Sequence, residues 1–129
     1  MHERRLYLND WCEGSAQTLV EHFGITHADL RGVEILLASY NVDEYQGEAF
    51  VLFRKEGVLY EVNACRDALD DMRGQWEPED TFIGALRHRL ENGHLGRGRG
   101  GVNLFADELR FLLLELERSS IHGFGQARC

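Results

Sequence analysis

Three apolar runs between residues 33 and 63 constrain the fold of this chain most strongly. The runs are VEILLASY (33–40), EAFVLFRK (48–55) and VLYEVN (58–63). The third run places Val58, Tyr60 and Val62 on one face, which is the period of a half-buried strand. The linker KEG, residues 55–57, fits a short hairpin turn in which glycine supplies a positive φ. The runs therefore predict a three-stranded antiparallel sheet with one covered face.

Helix signals precede these strands. Ser15 is a favoured N-cap residue before AQTLVEHF (16–23), and Gly24 can end that helix in a left-handed conformation. Thr26 and Asp29 have the spacing of a capping box, which predicts a short helical turn directly after it. We therefore expect a short helical region on the N-terminal side of the sheet.

The last third of the chain predicts two further helices. Asp80 or Thr81 can cap the first, over residues 81–92, and Asn103 can cap the second, over residues 104–119. The second helix has a core stripe formed by Phe105, Leu109, Leu112, Leu113 and Leu116, with Leu104, Phe111 and Leu114 outside that stripe. A helix that is apolar on two sides is either deeply buried or an oligomer interface. A homodimer through residues 104–118 is therefore an open alternative.

Together the patterns predict an α+β fold in which a three-stranded antiparallel sheet is packed by N- and C-terminal helices. A chain of 129 residues has the length of one domain. We assign residues 1–118 to that single domain and residues 119–129 to a flexible C-terminal tail, because termini without packing partners are poorly ordered.

Charge is distributed unevenly along the sequence. Residues 1–80 hold 17 acidic and 7 basic residues, whereas residues 81–129 hold 5 acidic and 7 basic residues. An acidic surface repels nucleic acid and attracts basic proteins, so we expect no direct DNA binding. The alternative is that the acidity only keeps the protein soluble. No apolar run reaches the ~20 residues that span a bilayer, and no signal peptide is evident, so the expected location is the cytoplasm.

The residues that usually carry chemistry do not form a known motif. The cysteines at positions 12, 65 and 129 are too widely spaced for a zinc knuckle, and no base lies near Cys65 in sequence. Asp67, Asp70 and Asp71 have helical spacing, but the surrounding residues lack the order of a calcium loop. We therefore predict no metal, no cofactor and no catalytic residue. The sequence favours a non-enzymatic role, but it leaves enzymatic activity open.

A basic, glycine-rich loop is the second candidate for ligand contact. Arg97 and Arg99 lie in GRGRGG, which follows no predicted strand and so is not a dinucleotide-binding pattern. The two arginines could contact phosphate or another ligand in a pocket beside the sheet. Alternatively, they pair with the acidic residues of the protein itself.

The segment GQWEPED, residues 74–80, combines one of the two tryptophans with the only proline and three acids. Gly74 permits a tight turn, Trp76 can anchor the segment on the sheet, and Pro78 prevents helix before it. Glu79 and Asp80 would favour the N-terminus of the next helix. The segment is thus interpreted as a structural clasp. The alternative is an exposed tryptophan in an acidic rim, which is a plausible hot spot for a basic partner.

Four stretches of this chain are similar to a family of small uncharacterised proteins encoded by phages and prophages. They are SYNVDEYQGEAFVLFRKEGVLYEVNA, GQWEPED, LRHRLENGHLG and FADELR, and the resemblance covers roughly residues 9–117. The family carries a Ser-His-Cys-Ser-Cys-Tyr-Gly-Leu-Glu stretch where this chain has residues 65–73. Its histidine and paired cysteines fall on Arg66, Asp67 and Leu69, so a metal or redox role in relatives would be lost here. The resemblance implies a mobile-element accessory protein and carries over no catalytic residue.

The leading hypothesis is a non-enzymatic phage or prophage protein that binds a host protein, including a nucleic-acid-binding defence complex of the CRISPR or restriction type. It would act as an inhibitor by presenting acids where DNA phosphates sit. The expected surface comprises Asp67, Asp70, Asp71, Trp76, Glu77, Glu79 and Asp80. The alternatives are a small-ligand or nucleotide-binding domain that uses Arg97 and Arg99, and a homo-oligomeric structural protein.

Overall fold

The computed structural model describes residues 7–12, 14–42, 47–66, 72–97 and 103–128. Within those residues the strands are β1 (Tyr7–Asn9), β2 (Glu34–Val42), β3 (Gly47–Lys55), β4 (Val58–Arg66) and β5 (Glu79–Thr81). The helices are α1 (Ala16–Phe23), α2 (Ile83–Glu91) and α3 (Ala106–Arg128), and a single 3₁₀ turn covers His27–Leu30. The predicted α+β class is confirmed.

The five strands form one mixed sheet in the order β1-β2-β3-β4-β5. Strand β1 is parallel to β2, and the other neighbours are antiparallel. Strands β2, β3 and β4 correspond to the three predicted runs, so the prediction of a three-stranded antiparallel sheet is incomplete. The two strands that it missed have only three residues each, which is too short for an apolar period to show.

Both faces of the central strand β3 are buried. Val51 and Leu52 point to opposite faces of the sheet, and both are 0% exposed. The prediction of one covered face is therefore wrong for this strand. The continuous apolar sequence of AFVLF already has the character of a strand covered on both sides.

The core of the N-terminal part lies between α1 and one face of the sheet. Leu19 and Phe23 of α1 are buried there with Val51, Phe53 and Val62 of the sheet. Local signals set the limits of α1, as predicted. The Ser15 backbone N–H donates to Thr18 Oγ1 at 3.0 Å, and Gly24 ends the helix with a φ of +67°.

The short helical turn over His27–Leu30 is confirmed with its capping box. The backbone N–H of Thr26 donates to Asp29 Oδ2 at 2.9 Å, and the Asp29 N–H donates back to Thr26 Oγ1 at 3.3 Å. The Asp29 side chain thus accepts from the Thr26 N–H, and the Thr26 hydroxyl adds a second acceptor for the Asp29 N–H, which also donates to the Thr26 carbonyl oxygen at 3.0 Å.

Helix α2 begins two residues later than predicted. Glu79–Thr81 pairs with β4 as strand β5, so neither Asp80 nor Thr81 caps the helix, and Phe82 occupies the N-cap position. The helix-dipole role predicted for Glu79 and Asp80 is therefore wrong. Because the strand extends through Thr81, the N-cap position falls on Phe82, whose side chain has no acceptor.

Four of the five residues of the predicted stripe are buried, and the fifth, Leu116, is partly buried. Phe105, Leu109, Leu112 and Leu113 are buried, whereas Phe111 and Leu114 are 65% and 46% exposed. The helix begins at Ala106, two residues later than predicted, so Asn103 is not directly at its start, although the Asp107 N–H of the first turn donates to Asn103 Oδ1 at 3.2 Å. The helix continues through residues 119–128, which belong to the segment predicted as a tail.

Two compact units meet in sequence between Thr81 and Phe82. The first contains the sheet and α1, and the second contains α2 and α3. The assignment of residues 1–118 to a single domain stays a prediction. Among the described helices, none has both the length and the apolar content to cross a membrane.

Candidate functional site

Gln75 fastens the GQWEPED segment to β4 with both ends of its amide. The Cys65 backbone N–H donates to Gln75 Oε1 at 2.9 Å, and Gln75 Nε2 donates to the Cys65 carbonyl oxygen at 2.7 Å. The side chain thus pairs with β4 as a neighbouring strand would. Gly74, with a φ of +83°, makes the turn that brings Gln75 to this position.

Trp76 is half-buried and packs on two aromatic rings. It lies parallel to Phe53, with ring centroids 5.7 Å apart, and meets Phe23 edge-on at 5.1 Å. Such contacts bury a large apolar area and orient the ring. The anchoring role that the sequence predicted for Trp76 is confirmed, although its role in partner binding stays a prediction.

Three acidic residues follow this anchor on the surface. Glu77, Glu79 and Asp80 are all exposed, and the latter two belong to β5, the last strand in the sheet order. Asp80 pairs with Tyr60 of β4, and Glu79 pairs with Glu61. Glu79 and Asp80 are consecutive residues of a paired strand, so their side chains point to opposite faces of the sheet, and Glu77 lies two residues before that strand.

Of the remaining predicted contact residues, the structure describes Arg97. Asp67, Asp70, Asp71 and Arg99 lie outside the described residues. Arg97 is exposed and forms an isolated bridge with Asn103. The predicted pocket beside Arg97 and Arg99 stays a prediction.

The Cys65 thiol is exposed and free. Across the described ranges, no three His, Cys, Asp or Glu side chains are grouped in a way that could hold a metal ion.

A cavity of about 430 Å³ lies elsewhere in the first unit, and the sequence did not predict it. Residues from the β1–α1 connection, α1 and β2 line it: Asp10, Trp11, Cys12, Gly14, Thr18, His22 and Tyr40. The parallel pairing of β1 with β2 brings them together, since the Asp10 N–H donates to the Tyr40 carbonyl oxygen at 2.8 Å.

Three rings form the wall of this aromatic cavity. Trp11 and Tyr40 are 2% and 4% exposed, and their rings stack with centroids 5.2 Å apart. His22 meets Trp11 edge-on at 5.6 Å and Tyr40 at 5.5 Å. The Trp11 indole N–H is buried and has no hydrogen-bond partner in the described part of the chain. An unpaired donor in a buried position is uncommon and calls for an explanation.

Comparisons of the chain with protein-family models, with curated proteins and with solved structures give no match. The resemblance to phage-encoded proteins therefore stays a prediction.

Proposed function

We propose that this protein is a non-enzymatic binding protein whose acidic segment, Glu77–Asp80, binds a basic surface on a partner protein. The observation that carries the proposal is the placement of three exposed carboxylates on a segment fastened to the sheet. The partner we propose is a host nucleic-acid-binding complex in the bacterial cytoplasm, in the setting that the phage resemblance implies.

The acidic segment is preorganised for binding. Two hydrogen bonds between the Gln75 amide and the Cys65 backbone, the packing of Trp76 and the β4–β5 pairing fix the backbone that carries the acids. A partner that binds a fixed segment loses less conformational entropy than one that orders a flexible loop. Acids carried on a fixed segment can occupy positions that DNA phosphates would take.

The carboxylates are available for such contacts. Among the hydrogen bonds and ion pairs of the described residues, none involves the side chain of Glu77, Glu79 or Asp80. The surrounding charge adds to their effect, because residues 1–80 hold 17 acidic and only 7 basic residues. A field of one sign accelerates association with an oppositely charged partner.

Acids on an edge strand also have a second use. They prevent the edge from pairing with another copy of the chain. This use predicts aggregation after neutralisation, whereas the binding function predicts the loss of a heterologous partner. The two are distinguishable in one experiment.

The experiment compares two triple variants with the same change in net charge. The test variant is Glu77→Gln/Glu79→Gln/Asp80→Asn. The control is Glu21→Gln/Glu48→Gln/Glu56→Gln, which neutralises three exposed acids elsewhere in the first unit. Each protein is used as bait in a bacterial lysate across a salt series, with size-exclusion chromatography to detect aggregation.

We expect wild type and control to capture the same basic nucleic-acid-binding protein, the test variant to lose it, and moderate salt to release it because exposed charge pairs are screened. Adding wild-type protein should also displace DNA from the captured partner. Equal capture by both variants, or aggregation of the test variant with capture unchanged, would contradict the proposal.

A further inference from the structure

We propose that one face of α3 pairs with the same face of a second copy of this chain, with the two helices antiparallel. This outer face of α3 comprises Asp107, Phe111, Leu114 and Arg118. It has an exposed apolar centre and opposite charges at its two ends. The face belongs to the second unit, whereas the acidic segment belongs to the first, so the pairing is independent of the proposed function.

The four residues of the outer face lie along one line on the helix. Their spacings of four, three and four residues bring the side chains to the same side of an α-helix. All four are exposed, whereas Leu109 and Leu113 on the opposite side are buried. The same alternation of spacings is the one by which two helices of a coiled coil meet. One side of α3 is therefore in the core, and a second side with coiled-coil spacing faces solvent.

The centre of the outer face is apolar. Phe111 and Leu114 are 65% and 46% exposed and lie one helical turn apart. Neighbouring large apolar side chains on a surface favour association, because burial removes them from water. In an antiparallel pair centred between these two residues, Phe111 of each copy packs on Leu114 of the other.

The charges at the two ends determine which occupant fits and in which direction. Asp107 lies four residues before Phe111, and Arg118 lies four residues after Leu114. The antiparallel register that joins Phe111 to Leu114 therefore also places each Asp107 opposite Arg118 of the second copy. A parallel pair would instead bring Asp107 beside Asp107 and Arg118 beside Arg118, and like charges repel. The outer face is thus complementary to itself in the antiparallel direction, as a two-fold interface requires.

The existing contacts of the two charged residues are compatible with this pairing. Asp107 forms an ion pair with Arg110 at 3.1 Å, and its Oδ2 accepts a 3.4 Å hydrogen bond from Asn103. Exposed pairs of this kind contribute little to stability, so sharing the carboxylate with a second cation costs little. Arg118 is exposed and has no hydrogen bond or ion pair with the residues that the structure describes.

The small size of the face sets the strength of the pairing. Two apolar side chains from each copy and two ion pairs cover less than the roughly 1,200 Å² of a stable complex. We therefore expect a transient dimer with a dissociation constant on the order of 100 μM.

Sedimentation equilibrium of the full chain, from about 10 μM to about 1 mM, tests the proposal. We expect a monomer–dimer equilibrium that Phe111→Gln/Leu114→Gln weakens about tenfold or more. The matched control is Val58→Thr/Phe82→Gln, which removes two exposed apolar side chains outside α3 and should dimerise like wild type. A wild-type protein that stays monomeric throughout, or equal dimerisation by the two variants, would overturn the proposal.

Charge reversal tests the antiparallel direction. Asp107→Lys and Arg118→Glu should each weaken the dimer about fivefold, because each places like charges opposite each other. The double variant has the net charge of wild type and should recover the wild-type dissociation constant. Circular dichroism checks that each variant keeps its helix content. A folded Arg118→Glu protein that dimerises like wild type, or a folded double variant as weak as the single ones, would refute the antiparallel pairing.

Discussion

Replacing Gln75 with alanine should destabilise the protein by about 2 kcal/mol. The amide makes two hydrogen bonds to the Cys65 backbone, at 2.9 and 2.7 Å. A protein hydrogen bond contributes a net 0.5–1.5 kcal/mol, so the pair is worth roughly 1–3 kcal/mol. Cys65 is exposed, and water can replace part of what is lost, which excludes the upper end of that range.

Urea unfolding measures this change as a shift in midpoint at constant slope. Gln17→Ala is the matched control, because Gln17 is exposed and makes one side-chain hydrogen bond, to Glu21 at 3.1 Å. We expect the control to lie within about 0.5 kcal/mol of wild type. A Gln75→Ala protein equally close to wild type would show that the amide pairing does not hold the segment.

Gln75→Glu tests the direction of the two hydrogen bonds. An ionised carboxylate can accept from the Cys65 N–H, but it cannot donate to the Cys65 carbonyl oxygen. That oxygen should raise the pKa of the introduced carboxyl in the folded state above its unfolded value. The stability deficit relative to wild type should therefore shrink as the pH falls and the carboxyl is protonated. A deficit that stays constant from neutral to acid pH would contradict the pairing.

Two further predictions concern the second unit and the hairpin. Gly96→Ala should destabilise the protein by at least ~2 kcal/mol more than Gly57→Ala in urea unfolding. Both glycines have a left-handed φ, +82° and +81°, so the backbone strain is similar. A Cβ at Gly96 would also lie 2.7 Å from the Ala106 Cα of α3, whereas a Cβ at Gly57 would meet no atom within 4 Å. Equal losses would show that backbone strain alone accounts for both. Hydrogen bonds from Arg87 lower the pKa of Glu117, so the stability that the Glu117 carboxylate contributes is present at neutral pH and lost as the pH falls through its folded pKa. Glu117→Gln should therefore reduce stability at neutral pH more than at acid pH, and a pH-independent difference would refute this.

Sequence reasoning succeeded where the determining interactions are local. Ser15 and Gly24 bound α1, and Thr26 with Asp29 caps the following turn, because each signal acts within a few residues of the element that it limits. The runs that became β2, β3 and β4 were equally visible. Each is long enough to display its apolar pattern, and short turns join β3 to β4.

The elements that were missed depend on distant partners. Strand β1 forms through parallel pairing with β2, about 30 residues away, as between Tyr7 and Ala38. Strand β5 forms on β4 across a segment that contains Gln75 and Trp76. Short strands of this kind have no period of their own, so the pairing that creates them cannot be seen in one local window.

The aromatic cavity was missed for the same reason. Asp10 and Trp11 reach Tyr40 only because β1 lies parallel to β2, and His22 reaches them from α1. The sequence did carry one usable signal. Asn9-Asp10 is a dipeptide typical of tight turns, and Trp11 and Cys12 follow it directly. In the structure Asn9 adopts the positive φ, 61°, that such a turn requires.

In the GQWEPED segment, the residues that hold the fold differ from the residues proposed to bind a partner. Gln75 and Trp76 are directed to the sheet, where the amide pairs with β4 and the ring stacks on Phe53. One face of the indole is therefore used by the fold, so a substitution of Trp76 would change stability and binding together and could not distinguish them. The acids after Trp76 are exposed and have no packing role among the described residues. A loss of partner capture after their neutralisation, with unfolding free energy unchanged, would therefore report on binding alone.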